Sequence, residues 1–123
     1  MKKKSTTYST LLLIIMCVCI ATTTAYAAGT YTSTYDMTGG VFSDNITASE
    51  YIITSIVPRD GMPGGSIGVI LATKHWYGWD GPVEEVDSAT GGTVTHSCNG
   101  TYKIWLRNFT TMRVTGKVTF SWR

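Results

Sequence analysis

The sequence lacks most of the features that would place it in a helical, membrane-spanning or disulfide-rich class. It contains only three cysteines and two histidines among 123 residues, and it has no internal repeat and no block of like charges. Apart from a single possible turn at Val83–Asp87, no segment has apolar residues at helical spacing, so a helical domain is excluded. No apolar run reaches the roughly 20 residues that a membrane-spanning helix needs.

The first 27 residues have the three parts of a secretory signal peptide. Residues 2–4 are lysines, residues 11–21 are all apolar, and Ala25-Tyr26-Ala27 places small residues where signal peptidase requires them. We therefore predict export, with cleavage after Ala27, and a secreted domain of residues 28–123 without a transmembrane segment. A retained anchor would need about twice this apolar length. A lipid anchor on Cys17 or Cys19 would need a small residue beside the cysteine, and neither site has one.

Removal of the signal peptide changes the charge and the cysteine content. The full chain has ten basic and eight acidic residues, a net charge of +2. Three of the basic residues belong to the signal, which leaves seven basic against eight acidic residues. A nucleic-acid partner, which would require a clear positive excess, is therefore not predicted. Cys98 is the single cysteine left, so no internal disulfide is expected.

Alternation of apolar and polar residues predicts β-strands throughout the mature chain. The clearest case is residues 112–122, where one face is apolar except at Gly116, a gap that indicates a bulge or a bulky neighbour. Residues 66–73 are apolar on both faces, which favours a central strand, and residues 30–36 favour an edge strand. Six or seven short strands predict one all-β domain, an antiparallel β-sandwich that is jelly-roll-like, with an up-and-down barrel as the alternative.

The last two predicted strands are expected to form an antiparallel hairpin, joined by residues 93–98 into a meander. Their sequences also carry a resemblance to a known family. They read Gly100-Thr101-Tyr102-Lys103-Ile104-Trp105-Leu106-Arg107-Asn108 and, after a turn, Val114-Thr115-Gly116-Lys117-Val118-Thr119. This phrase resembles the closing hairpin of secreted bacterial jelly-roll accessory modules of the pre-peptidase C-terminal type. The resemblance covers a small part of the chain and implies a jelly-roll fold and a binding or accessory role, without catalytic residues.

The densest chemical cluster lies in a predicted loop around residues 75–82. Trp76, Tyr77 and Trp79 would form an aromatic platform on which sugar rings stack, and Asp80 would accept hydrogen bonds from sugar hydroxyls. The alternative is that these rings cover an open end of the sandwich. We predict a ligand site made by these four residues, with a carbohydrate or a cell-envelope component as its partner and with no metal or cofactor.

The sequence patterns that would indicate a catalytic or metal-binding site are weaker than the aromatic cluster. His96 and Cys98 share a strand face, so a thiol nucleophile is one interpretation, and an inert buried cysteine or an intermolecular disulfide are the others. An acidic stretch made by Asp80, Glu84, Glu85 and Asp87 offers oxygen ligands for Ca²⁺, but its spacing matches no calcium loop, which favours a solvated acidic loop.

The sequence therefore predicts a secreted, non-enzymatic binding protein that acts at a cell surface or envelope. Three alternatives stay open. They are a small secreted toxin or bacteriocin-like factor, a small hydrolase that uses His75 or His96, and a self-assembling surface protein joined through its edge strands. The ligand and the oligomeric state are not determined by the sequence.

Overall fold

The computed structural model describes residues 27–123, which confirm the predicted all-β class. The predicted signal peptide lies outside the described residues apart from Ala27. Within residues 27–123, no helix is present that could cross a membrane. The strands of this range are β1 (Gly29–Met37), β2 (Gly40–Phe42), β3 (Ile46–Ala48), β4 (Tyr51–Pro58), β5 (Ser66–His75), β6 (Gly78–Asp80), β7 (Val83–Asp87), β8 (Gly92–Ser97), β9 (Gly100–Asn108) and β10 (Val114–Trp122).

The strands form two antiparallel sheets rather than one closed barrel. One sheet has four strands in the order β1-β10-β4-β8. The other has six, in the order β2-β9-β5-β6, with β3 also paired to β9 and β7 also paired to β5. Along the chain, β1, β4 and β8 of the first sheet are each followed by one or more strands of the second. The two sheets confirm the antiparallel sandwich that the strand pattern predicts.

The predicted hairpin and meander at the end of the chain are wrong. Strand β9 pairs with β2, β3 and β5, whereas β10 pairs with β1 and β4, so the two lie in opposite sheets. Strand β8 pairs with β4 instead of β9. Alternation identifies the buried face of each strand, but both sheets bury a face in the same core, so alternation does not identify the partner. The resemblance to accessory modules thus concerns two strand sequences and not a paired hairpin.

The segment Val83–Asp87, for which the sequence allows a helical turn, is not helical. It is strand β7, which runs antiparallel to residues 66–70 of β5. Pairing with the central strand satisfies its backbone groups better than an isolated turn would.

The core lies between the sheets and is built from the inward faces of their strands. On β10 the inward residues include Val114, Val118 and Phe120, as alternation predicts. A Cβ added at Gly116 would lie 2.5 Å from the Tyr35 hydroxyl oxygen and 2.5 Å from the Val57 carbonyl oxygen. The gap in the apolar face therefore makes room for the ring of Tyr35, the bulky neighbour that the sequence left as one of two possibilities.

Candidate functional site

Strand β5 is buried on both of its faces, as its sequence predicts. Ile67, Val69 and Leu71 belong to the core between the sheets. Ile70 and Ala72 point to the other side of the sheet, outside that core, yet Ile70 is only 2% exposed and Ala72 is fully buried. Apolar residues on an outward sheet face stay dry only if other side chains cover them. The six-stranded sheet therefore carries a second layer of side chains on its outer face.

This second layer consists of aromatic rings and cations from four segments of the chain. They are named the aromatic strip, which comprises Phe42, Lys74, Trp79, Lys103, Trp105, Arg107 and Phe109. The ring of Phe42 lies at its centre, with its centroid 6.0 Å from that of Trp79 and 5.1 Å from that of Trp105. The Phe42 and Trp105 planes differ by only 13°, so these two rings are stacked.

Cations are placed between and beside the rings of the strip. The Lys103 ammonium is 5.0 Å from the Trp79 centroid and 5.8 Å from the Phe42 centroid. The Arg107 guanidinium carbon is 5.0 Å from the Trp105 centroid and 5.4 Å from the Phe109 centroid. Lys74 approaches Trp79 to 5.8 Å. Because the face of an aromatic ring is electron-rich, each cation is attracted to the rings that flank it.

The strand register explains why these residues meet. On β9, alternation turns Ile104 and Leu106 into the core and therefore turns Lys103, Trp105 and Arg107 outward. Phe42 of β2 lies directly opposite Trp105, while Trp79 of β6 lies opposite Lys74 of β5. Sequence reasoning missed most of the strip, although one signal was present: Trp105 stands on the otherwise polar face of an alternating strand.

None of the three cations of the strip lies within salt-bridge distance of a carboxylate of the described residues, although Glu85 of β7 lies on the same outer face, opposite Gly68. Within residues 27–123, one ion pair is present. It joins Arg113 to Asp36, which lies on the edge strand β1 of the other sheet. Asp80 follows Trp79 directly, but its carboxylate accepts a hydrogen bond from the Gly81 backbone N–H at 2.8 Å. The strip therefore presents aromatic surface together with unpaired positive charge.

The four residues predicted as a ligand site are divided between two places. Trp76 and Tyr77 form the tip of the β5–β6 hairpin, where they are 96% and 58% exposed. At this tip the ring of His75 stacks on Tyr77, with centroids 5.0 Å apart. Trp79 belongs instead to the aromatic strip, and Asp80 is engaged with the turn that follows. The three rings therefore do not form one platform, because the hairpin turn separates residues that are adjacent in sequence.

His96 and Cys98 do not form an activated pair. His96 is 6% exposed, and neither of its ring nitrogens has a hydrogen-bond partner within residues 27–123. Burial lowers the pKa of His96 below 6.5, and the charge of Glu84 opposes this only in part. Burial also raises the pKa of the Cys98 thiol. Both groups thus favour their neutral forms, whereas a nucleophilic pair needs a thiolate.

Of the acidic residues in β7, Glu84 and Glu85 lie within the strand and Asp87 caps the turn that follows it. The Asp87 carboxylate accepts hydrogen bonds from the backbone N–H groups of Ala89 at 2.7 Å and Thr90 at 3.0 Å, which hold the pKa of Asp87 below its usual value. Among residues 27–123, no three histidine, cysteine or acidic side chains lie close enough together to hold a metal ion. The geometry therefore provides no candidate calcium site in the described range.

A shallow groove beside the four-stranded sheet is a weaker candidate. Its lining includes Tyr35, Asp36, Arg59 and Gly116. Asp36 is already paired with Arg113, and most of the Tyr35 ring is packed in the core. The aromatic strip is therefore the better candidate site.

Comparisons with known proteins add little to this geometry. No protein-family model and no curated protein matches the chain. A solved structure described under "Bacillus endospore appendages form a novel family of disulfide-linked pili" superposes with a TM-score of 0.40 at 12% identity, over 78% of this chain and 88% of that one. A likeness at this level establishes neither a shared family nor a shared function.

Proposed function

We propose that this protein is an exported, non-enzymatic binding protein that holds a carbohydrate at a cell surface or envelope through its aromatic strip. The observation that carries the proposal is that the rings of Trp79, Phe42 and Trp105 adjoin one another on an outward sheet face. The apolar C–H face of a sugar ring packs on an aromatic ring. A run of adjacent rings therefore suits a saccharide chain better than a single small molecule.

Exposed apolar surface around the strip supports the same function. Phe42, Val83 and Phe109 are each between 44% and 46% exposed. Val83 and Trp105 both lie directly opposite Ile70, on its two neighbouring strands, so they share this outer face. Clustered apolar surface that remains exposed on a small protein marks an interaction site more often than scattered single residues do. Covering it with a ligand would remove this surface from water.

The signal-peptide pattern and the chemistry of the interior give the remaining support. The pattern of residues 1–27 favours export. Burial lowers the pKa of His96 and raises the pKa of the Cys98 thiol, which disfavours the form of the hydrolase alternative that uses Cys98 as a nucleophile.

Binding to a glycan array and to purified cell-wall polysaccharides tests the proposal. An aromatic contact contributes about 1 kcal/mol, so Phe42→Ala and Trp79→Ala should each weaken binding roughly fivefold. Trp76→Ala is the matched control, because it removes an exposed ring at the hairpin tip, outside the strip. Circular dichroism of each variant checks that the fold is kept.

Two outcomes would contradict the proposal. If the protein bound none of the saccharides offered, the proposal that it binds carbohydrate would be refuted. Loss of binding in Trp76→Ala, with Phe42→Ala unchanged, would place the ligand at the hairpin tip and leave the strip as a structural cover for Ile70.

One observation favours a second candidate, a small secreted toxin. Trp76 is almost fully exposed at a hairpin tip beside Tyr77, and both residue types are enriched where membrane interfaces meet water. Leakage of a fluorescent dye from lipid vesicles, lost in Trp76→Ala and kept in Phe42→Ala, would support the toxin. Intact vesicles at micromolar protein would exclude this membrane-directed form of it.

A further inference from the structure

We infer that the ligand of the aromatic strip is an acidic polysaccharide whose sugar units carry carboxylates, that is, a polymer containing uronic acids. The inference rests on the proposed function, because it takes the strip as the binding surface. It adds the charge of the ligand and the position of that charge relative to the sugar ring.

Positive charge is concentrated on the strip. Only seven basic residues are present in residues 28–123, and three of them, Lys74, Lys103 and Arg107, lie on the strip. Within the described residues, none of the three lies within salt-bridge distance of a carboxylate. The one ion pair in this range joins Arg113 to Asp36. The aromatic face of a nearly neutral domain thus carries three cations without a salt-bridge partner against one carboxylate, Glu85, which lies opposite Gly68 on the same face, and this excess is complementary to an anionic ligand.

Each ring pair of the strip has a cation beside it. The Lys103 ammonium flanks Trp79 and Phe42, and the Arg107 guanidinium flanks Trp105 and Phe109, at 5.0 to 5.8 Å from each centroid. A uronic acid carries a stacking face and a carboxylate in the same sugar unit, so one unit could contact a ring and the cation beside it. A neutral glycan offers only the ring. A polymer of glycerol phosphate offers only the charge.

Lys103 and Arg107 each lie near two rings of the strip. Attraction to these rings favours the side-chain positions that face a ligand, which lowers the entropy lost when a carboxylate is bound. The Lys103 ammonium has three N–H donors and the guanidinium of Arg107 can donate two parallel hydrogen bonds to a carboxylate. The strip is therefore preorganised for carboxylate recognition.

The test compares two polymers that have the same sugar rings and differ in whether the carboxyl groups are ionised or methyl-esterified. Polygalacturonate and its fully methyl-esterified form have the same sugar rings, and only the first carries carboxylates. Titration followed by tryptophan fluorescence should show binding of polygalacturonate at least tenfold tighter, and this difference should shrink as salt is added. Lys103→Gln and Arg107→Gln should each weaken binding roughly fivefold. Lys117→Gln, an exposed cation on the other sheet, is the matched control and should bind as the parent does.

The outcomes separate this inference from the proposed function. Equal binding of both polymers, weakened for both by Phe42→Ala, would overturn the acidic ligand while supporting carbohydrate binding at the strip. No binding of polygalacturonate would overturn the inference, and the array of neutral glycans would then decide the proposed function. Tighter binding of poly(glycerol phosphate) or of an oligothymidylate would show that a phosphate polymer or a nucleic acid is the preferred ligand and would overturn the uronic acid.

Discussion

Replacement of His96 by leucine is expected to stabilise the protein by about 1–3 kcal/mol at neutral pH, the cost of burying a polar group without a partner. His96 projects from β8 into the interior, opposite Ile52 on β4, and both of its ring nitrogens are buried and unpaired within residues 27–123. Leucine has a similar size and no polar atom, so it removes this cost without opening a large cavity. Each kcal/mol should raise the unfolding midpoint by about 4–8 °C in a domain of this size.

The same substitution should remove part of the acid sensitivity. Burial lowers the pKa of His96 in the folded state, while the unfolded chain has the ordinary value near 6.5. Below pH 6.5 the unfolded state therefore binds more protons than the folded state. The free energy of unfolding is therefore not reduced by His96 protonation above this pH, and it decreases as the pH falls from 6.5 towards the lower folded pKa. Since the charge of Glu84 opposes the shift, Glu84→Gln should enlarge the loss.

Thermal and urea unfolding followed by far-ultraviolet circular dichroism at pH 7.5 and pH 5.0 would measure both effects. His75→Gln is the matched control, because it removes the other histidine of the chain from the hairpin tip. It should leave the acid loss unchanged. A His96→Leu variant that is less stable at pH 7.5, or that loses as much stability in acid as the parent, would refute the buried, unpaired imidazole.

Three further predictions concern packing and the thiol. Gly116→Ala should destabilise the protein by about 1–3 kcal/mol in urea unfolding, because its Cβ would clash with the Tyr35 hydroxyl; unchanged stability would contradict this packing. Ile70→Ala should cost about 2–5 kcal/mol by the same assay, as in a core, because the aromatic strip keeps Ile70 dry; a cost near zero would mean that the strip does not cover it. Cys98 should react much more slowly with a thiol reagent in native buffer than in urea, because it is half-buried and its pKa is raised; equal rates would contradict its burial.

Strand positions were predictable from the sequence because a strand with one buried face has a local signature. Alternation placed Val114, Val118 and Phe120 of β10 in the interior, where the structure has them. Pairing was not predictable in the same way. The partner of a strand is decided by packing between distant segments, so β9 and β10, which are close in sequence, were wrongly joined into a hairpin.

The members of the candidate site were also not predictable from the sequence, because they meet through strand pairing. The closeness of Trp76, Tyr77 and Trp79 in sequence predicts a single platform, yet the β5–β6 turn places Trp79 apart from the other two rings. Phe42 lies in a strand of three residues, too short to show alternation, and it reaches Trp105 only through the pairing of β2 with β9. A surface assembled from four segments has no continuous sequence motif, and its members become visible only when the register is known.

The position of β10 has a consequence for the order in which the domain can be assembled. This strand comes after all the others along residues 27–123, yet it lies between β1 and β4 in the interior of the four-stranded sheet. Its residues pair with Gly29–Met37 on one side and with residues 52–58 on the other. A nascent chain that ends before Val114 therefore leaves β1 without its sheet partner and β4 with one open edge. The four-stranded sheet can therefore be completed only after this strand has been synthesised, so folding of the domain depends on contacts between segments that are distant in sequence.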